Sequence, residues 1–141
     1  SIGTSLVGLA QHKNRKLYLR DAMSLTRYKL GVVQDYVNTK QIDQLIANGT
    51  IKPVVAINDR QNLVRVLNGD IDAAVIDKKV MQYLLQHDEK LRQHAAAQLE
   101  FNDTIAEAIS LHIAFSRYHY DSGLFERFNQ TLLQLEAQPK P

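Results

Sequence analysis

The sequence predicts an α/β fold, a three-layer sandwich around a mostly parallel sheet. Three observations lead there. Between Tyr28 and Asp77 lie three short apolar runs, Leu30-Gly31-Val32-Val33, Val54-Val55-Ala56-Ile57 and Ile71-Asp72-Ala73-Ala74-Val75-Ile76. They are rich in β-branched residues and too short for helices, which suggests strands buried on both faces. Two spans of helical length separate them, and stop signals (Asn48-Gly49 and Gly69) close both spans. That is a βαβαβ pattern, which calls for parallel strands and right-handed crossovers. The expected strand order is 2-1-3 within this unit, plus an antiparallel strand.

Taken in order, the chain opens with Leu6-Val7-Gly8-Leu9-Ala10, a strand in which Gly8 allows a bend or a close approach. His12-Lys13-Asn14-Arg15-Lys16 reads as a solvated basic turn. Leu19 to Leu25 forms a short helical turn that delivers the chain to the first parallel strand. In the next helix Val37, Ile42, Leu45 and Ile46 line one face. In the following one Asn58 or Asp59 caps the start, and Leu63, Val66 and Leu67 face inward. Asp77 caps a third helix carrying Val80, Tyr83 and Leu84. Gln86 to Lys90 is polar and reads as exposed, and Gln98-Leu99-Glu100-Phe101 as a short strand. Asn102-Asp103-Thr104 reads as a turn, and Ile109 to Phe115 as another strand. A final helix follows Asp121 or Ser122 and carries Leu124, Phe125, Phe128, Leu132 and Leu135.

The bulk properties narrow the function. The 141 residues suffice for one domain with a core, and 45% hydrophobic with 23% charged residues is ordinary for a globular chain. A net charge of +2 gives no case for nucleic acid or an anionic membrane surface. No apolar run approaches the ~20 residues of a membrane helix. No basic n-region followed by an apolar h-region opens the sequence. Cysteine is absent, so disulfides, thiolate metal sites and Cys nucleophiles are excluded. The five histidines form no HxxxH or HExxH pair, so no metal and no cofactor is expected.

Open α/β sheets bind ligands beyond the carboxyl ends of their strands, where helix amides also point. Those ends carry Gln34-Asp35-Tyr36, Asn58-Asp59-Arg60 and Asp77-Lys78. The candidate ligand-binding residues are therefore Gln34, Asp35, Tyr36, Asn58 and Asp77. Three of them also have a structural reading: Asn58 and Asp77 as helix caps, Tyr36 as cover for a helix edge. His112 reads as a half-buried residue of the late strand.

Several phrases, in order, resemble the periplasmic solute-binding protein family 3, with the type 2 periplasmic binding fold of amino-acid ABC transporters. They are KLGVVQDY, the helix ending QLIANGTI, NLVRVLNGDIDAAVID, SLHIAFSR and FERFNQTLLQL. The resemblance implies that residues 1–141 form a single α/β lobe, the second of two. Residues 1–12 and 108–117 would be hinge strands, and 121–137 a C-terminal helix that leans on the first lobe. It further implies a periplasmic location and a small polar ligand, such as an amino acid. The partner would be an ABC permease or, for a sensor-type relative, a signalling module. A second copy of the chain is an expected occupant of a surface left without its first lobe.

Carried over by position, the family loop of glycine and threonine that holds a ligand carboxylate becomes Gln34-Asp35-Tyr36-Val37-Asn38 here. Asp35 stands in the glycine place. A carboxylate at ~4 Å in a dielectric of ~20 would repel it by ~4 kcal/mol. Asp77 matches the family aspartate that pairs with a ligand amino group. Enzymes such as dehydratases share the fold, and Asp35 with Asp77 would be the acid–base pair. A phospho-acceptor receiver would need an acidic pair after its first strand, and only Asp35 is offered there.

Overall fold

A computed structural model describes residues 4–110. The first strand, β1 (Thr4–His12), leads through a 3-10 turn (Ala22–Arg27) to β2 (Leu30–Val33) and α1 (Lys40–Ala47). Then come β3 (Val54–Ala56), α2 (Asp59–Asn68), β4 (Ala73–Asp77), α3 (Lys78–His87), α4 (Glu89–His94) and β5 (Leu99–Ser110). The five strands form one sheet in the order β3-β2-β4-β1-β5. β2 pairs in parallel with β3 and β4, and β1 is antiparallel to both β4 and β5. The βαβαβ unit and its central first strand are thus as the sequence predicts.

Every residue of β2 and β4 is buried, so helices or loops cover both sheet faces there. Leu9, Leu30, Ile42, Leu63, Ile71 and Ile76 are sealed in the core, each contributing about 1.5–3 kcal/mol. α2 packs across β1, β2, β3 and β4 because Leu63 and Val66 recur on its inner face. The start of β2 is tied to that of β4: the Lys29 N–H donates to Asp72 Oδ2 at 2.7 Å, and Lys29 O accepts from the Asp72 N–H at 2.9 Å.

Some expectations need correction. β3 is an edge strand, with Val54 and Val55 exposed, so it is not buried on both faces. Its outer carbonyl at Val55 accepts from Arg65 Nη1 at 2.9 Å. Val37 is exposed and precedes α1, which Thr39 caps instead. The polar Gln86–Lys90 stretch contains the junction of α3 with an extra short helix, α4. Asp88 closes the first and caps the second.

The largest difference is at Asn102-Asp103-Thr104. These residues sit inside one continuous strand, β5. Leu9 faces Asn102 while Val7 faces Glu107, so residues 103–106 all lie opposite Gly8 as an enlarged, irregular bulge. The local turn chemistry is real, because the Thr104 N–H donates to Asn102 Oδ1 at 2.9 Å. The turn bends the strand without ending it. Gly8 is required beneath it: a Cβ there would stand 2.6 Å from Phe101 Cζ and 3.0 Å from Asn102 O. The expected strand beyond residue 110, His112 and the C-terminal helix lie outside the described residues.

Candidate functional site

Parallel pairing brings the carboxyl ends of β2, β3 and β4 to one edge of the sheet. Continuing the register of Gly31 with Val54 and of Leu30 with Ala73 sets Ile57, Gln34 and Asp77 in one row. The row runs on across the antiparallel strands, since Val7 faces Asp77 on one side and Glu107 on the other. Asp35 and Asn58 come one step beyond it. The five residues singled out in the sequence therefore share an edge.

Their local roles differ. The Gln34 N–H extends the ladder by donating to Ala56 O at 2.8 Å, and its side chain is exposed. The Tyr36 N–H donates to Val33 O at 3.2 Å, closing a tight turn. Within it Asp35 takes φ 63°, a left-handed conformation that suits glycine best and that aspartate tolerates among L residues. A glycine would adopt the same conformation without strain. Asp35 is exposed, whereas Tyr36 is half-buried against the core.

Asn58 caps α2, its side chain accepting from the Gln61 N–H at 2.8 Å. Asp77 is fully buried and caps α3. Its Oδ1 accepts from the N–H groups of Lys79 at 2.8 Å and Val80 at 3.2 Å. Two of the five candidates thus hold helix starts that face the edge, and Asp35 presents its carboxylate to solvent.

One participant escaped the sequence reading. The Glu107 side chain reaches from β5 to α1, where Oε2 accepts from the Lys40 N–H at 3.1 Å. At the same helix end Thr39 Oγ1 accepts from the Ile42 N–H at 3.2 Å. Asp43 accepts twice from Asn38, from its N–H at 3.1 Å and its Nδ2 at 2.9 Å. Reading Asn102 to Thr104 as the end of a strand hid Glu107. The continuous β-capable run Thr104-Ile105-Ala106-Glu107-Ala108-Ile109 was the available signal.

Beside Glu107 lies a concavity of about 390 Å³ lined by Arg20, Asp21, Gln41 and Thr104 to Glu107. A second polar hollow of about 330 Å³ lies around the Arg60–Asp88 pair, whose Nε and Oδ2 are 2.7 Å apart. Burial alone would raise the Asp88 pKa, but the Leu91 N–H, the Arg60 guanidinium and the Lys90 N–H outweigh it and hold the carboxyl below its usual range. Among the described residues no three His, Asp or Glu side chains are grouped to hold a metal ion. No described helix is long and apolar enough to cross a membrane.

No family model matches the chain, and no curated protein matches it by sequence. Solved structures do share its fold. A histidine kinase sensor domain with similarity to periplasmic binding proteins aligns with 95% of this chain and 54% of its own, at TM-score 0.55 and 16% identity. An amino acid ABC transporter substrate-binding protein from Streptococcus pneumoniae, bound to L-arginine, aligns over 96% and 53%, at TM-score 0.54 and 15% identity. An ancestral arginine-binding protein bound to arginine aligns over 95% and 55%, at TM-score 0.51 and 15% identity. The chain spans about half the length of each of these structures. What is shared at such identity is the fold, an open α/β sheet of the periplasmic-binding-protein type.

Proposed function

We propose that this chain is one lobe of a two-lobed periplasmic binding fold and that it captures a small polar ligand at the carboxyl edge of its parallel strands. The observation that carries the reading is the near-complete alignment of this chain with about half of each neighbour. Gln34, Asp35, Tyr36, Asn58 and Asp77 share the edge on which such a ligand would sit, between this lobe and another. The neighbours are a sensor domain and binding proteins, which favours capture over catalysis. On this reading the protein works in the periplasm, closes on its ligand by hinge motion, and hands it to an ABC permease.

A second reading keeps the capture and changes the output: a sensor module that reports closure to a signalling domain. It is favoured by the Asp35-Tyr36 turn, which departs from the glycine and threonine of the amino-acid transport loop, and by the sensor-domain neighbour.

Calorimetry tests the capture. The full-length protein, titrated with a panel of amino acids and small amines, should bind at least one with a dissociation constant of ~1 μM or below. The 141-residue chain by itself should bind the same ligand at least ~100-fold more weakly, because a closed cleft supplies contacts from both walls. Sub-micromolar binding by the 141 residues alone would overturn the two-wall reading.

A further inference from the structure

We propose that Glu107 is a built-in anion that fills the α1 helix start, so that the ligand of this edge approaches α1 without a carboxylate and with a cationic or neutral hydrogen-bond donor. The proposal rests on the capture reading and adds the ligand class.

A helix start carries partial positive charge and free N–H groups, and it attracts anions. At α1 two of those N–H groups are already held by side chains. Glu107 Oε2 holds the Lys40 N–H at 3.1 Å, and Thr39 Oγ1 holds that of Ile42. A tethered carboxylate acts at an effective concentration in the millimolar range or above. An incoming carboxylate would have to displace it and would also meet the exposed Asp35 on the same edge.

Register explains why Glu107 is at hand. It faces Val7, which faces Asp77 on the other side, so two strand spacings of ~4.8 Å separate it from the Asp77 strand position. The bulge at 103–106 sets that register. Glu107 at the α1 start and the exposed Asp35 together make this edge acidic, which favours a donor over a carboxylate.

The test follows the Lys40 amide by ¹H–¹⁵N NMR in the full chain, with acetate as the probe. In the wild type its shift should stay still on adding acetate. In Glu107→Ala it should move with acetate, with an apparent affinity at least ~10-fold above the wild type. Glu107→Gln keeps the shape without the charge and should also respond to acetate more than the wild type, which covers the case of an unfolded alanine variant. Equal acetate responses in wild type and variants, or none in any, would overturn the proposal. Because acetate needs no second lobe, this outcome is independent of whether calorimetry supports capture.

Discussion

Gly31 on β2 lies directly against Asn62 on α2: a Cβ added to Gly31 would fall 2.1 Å from Asn62 Oδ1 and 2.4 Å from Ile71 Cδ1. The helix can sit this close to the sheet only because glycine stands there. Asn62 is fully buried, and its amide has no hydrogen-bond partner among the described residues. Gly31→Ala should cost about 2–3 kcal/mol through overpacking. Asn62→Ala should be neutral or stabilising by about 1 kcal/mol, since it removes an unsatisfied polar group and improves helix propensity. The double variant should recover part of the Gly31→Ala loss. Urea unfolding of the four proteins gives the coupling, and strict additivity would mean that the two residues do not touch.

Asp88 joins α3 to α4 and pairs with Arg60. Asp88→Ala should destabilise the chain by about 1–2 kcal/mol through the lost cap. Asp88→Asn keeps the cap and should cost less. The native pKa is lowered, so the ionic part of this stabilisation is present above the unfolded aspartate value, near pH 4, and is lost as pH falls through the native value. The stability gap between wild type and Asp88→Asn should therefore close in acid, below about pH 4. A gap that widens in acid would reverse the assigned sign.

Asp77 is a buried cap that also stands on the candidate edge. Asp77→Asn retains an acceptor for the Lys79 and Val80 amides and should fold, whereas Asp77→Ala should lose about 1–2 kcal/mol. On the capture reading, Asp77→Asn in the two-lobed protein should weaken an ammonium-bearing ligand at least ~10-fold, because a charge-assisted bond becomes a neutral one. An unchanged dissociation constant with intact folding would leave Asp77 as a cap alone.

Asp35 holds a left-handed turn in which glycine is unstrained. Asp35→Gly should be neutral or slightly stabilising, and Asp35→Val should cost about 1 kcal/mol or more. On the capture reading Asp35→Gly also removes a negative charge from the edge and should improve binding of carboxylate-bearing ligands. Thermal unfolding and calorimetry read the two effects separately.

β3 is guarded on its outer side. Pro53 precedes the strand, Lys52 is exposed beside it, and Arg65 covers Val55 O. Arg65→Ala frees that carbonyl next to exposed Val54, Val55 and Ile57. Light scattering should show increased self-association of the variant, with little change in unfolding midpoint.

The sequence by itself determined the βαβαβ unit, its strand order and two helix starts, those of α2 and α3. Apolar runs of four to six residues, capping side chains and terminal glycines are local signals, and each acts within a few residues of its cause. It also placed Gln34, Asp35, Tyr36, Asn58 and Asp77 on one edge, because parallel pairing sends all three carboxyl ends the same way. Only the tertiary structure decided what those residues do there. Whether Val54 is covered depends on which strand lies at the sheet margin, and Asp77 is committed to α3 amides by the burial around it. The reach of Glu107 to Lys40 spans 67 residues. It depends on a bulge opposite Gly8, where Asn102-Asp103-Thr104 marks the bend locally and only pairing decides that the strand continues through it.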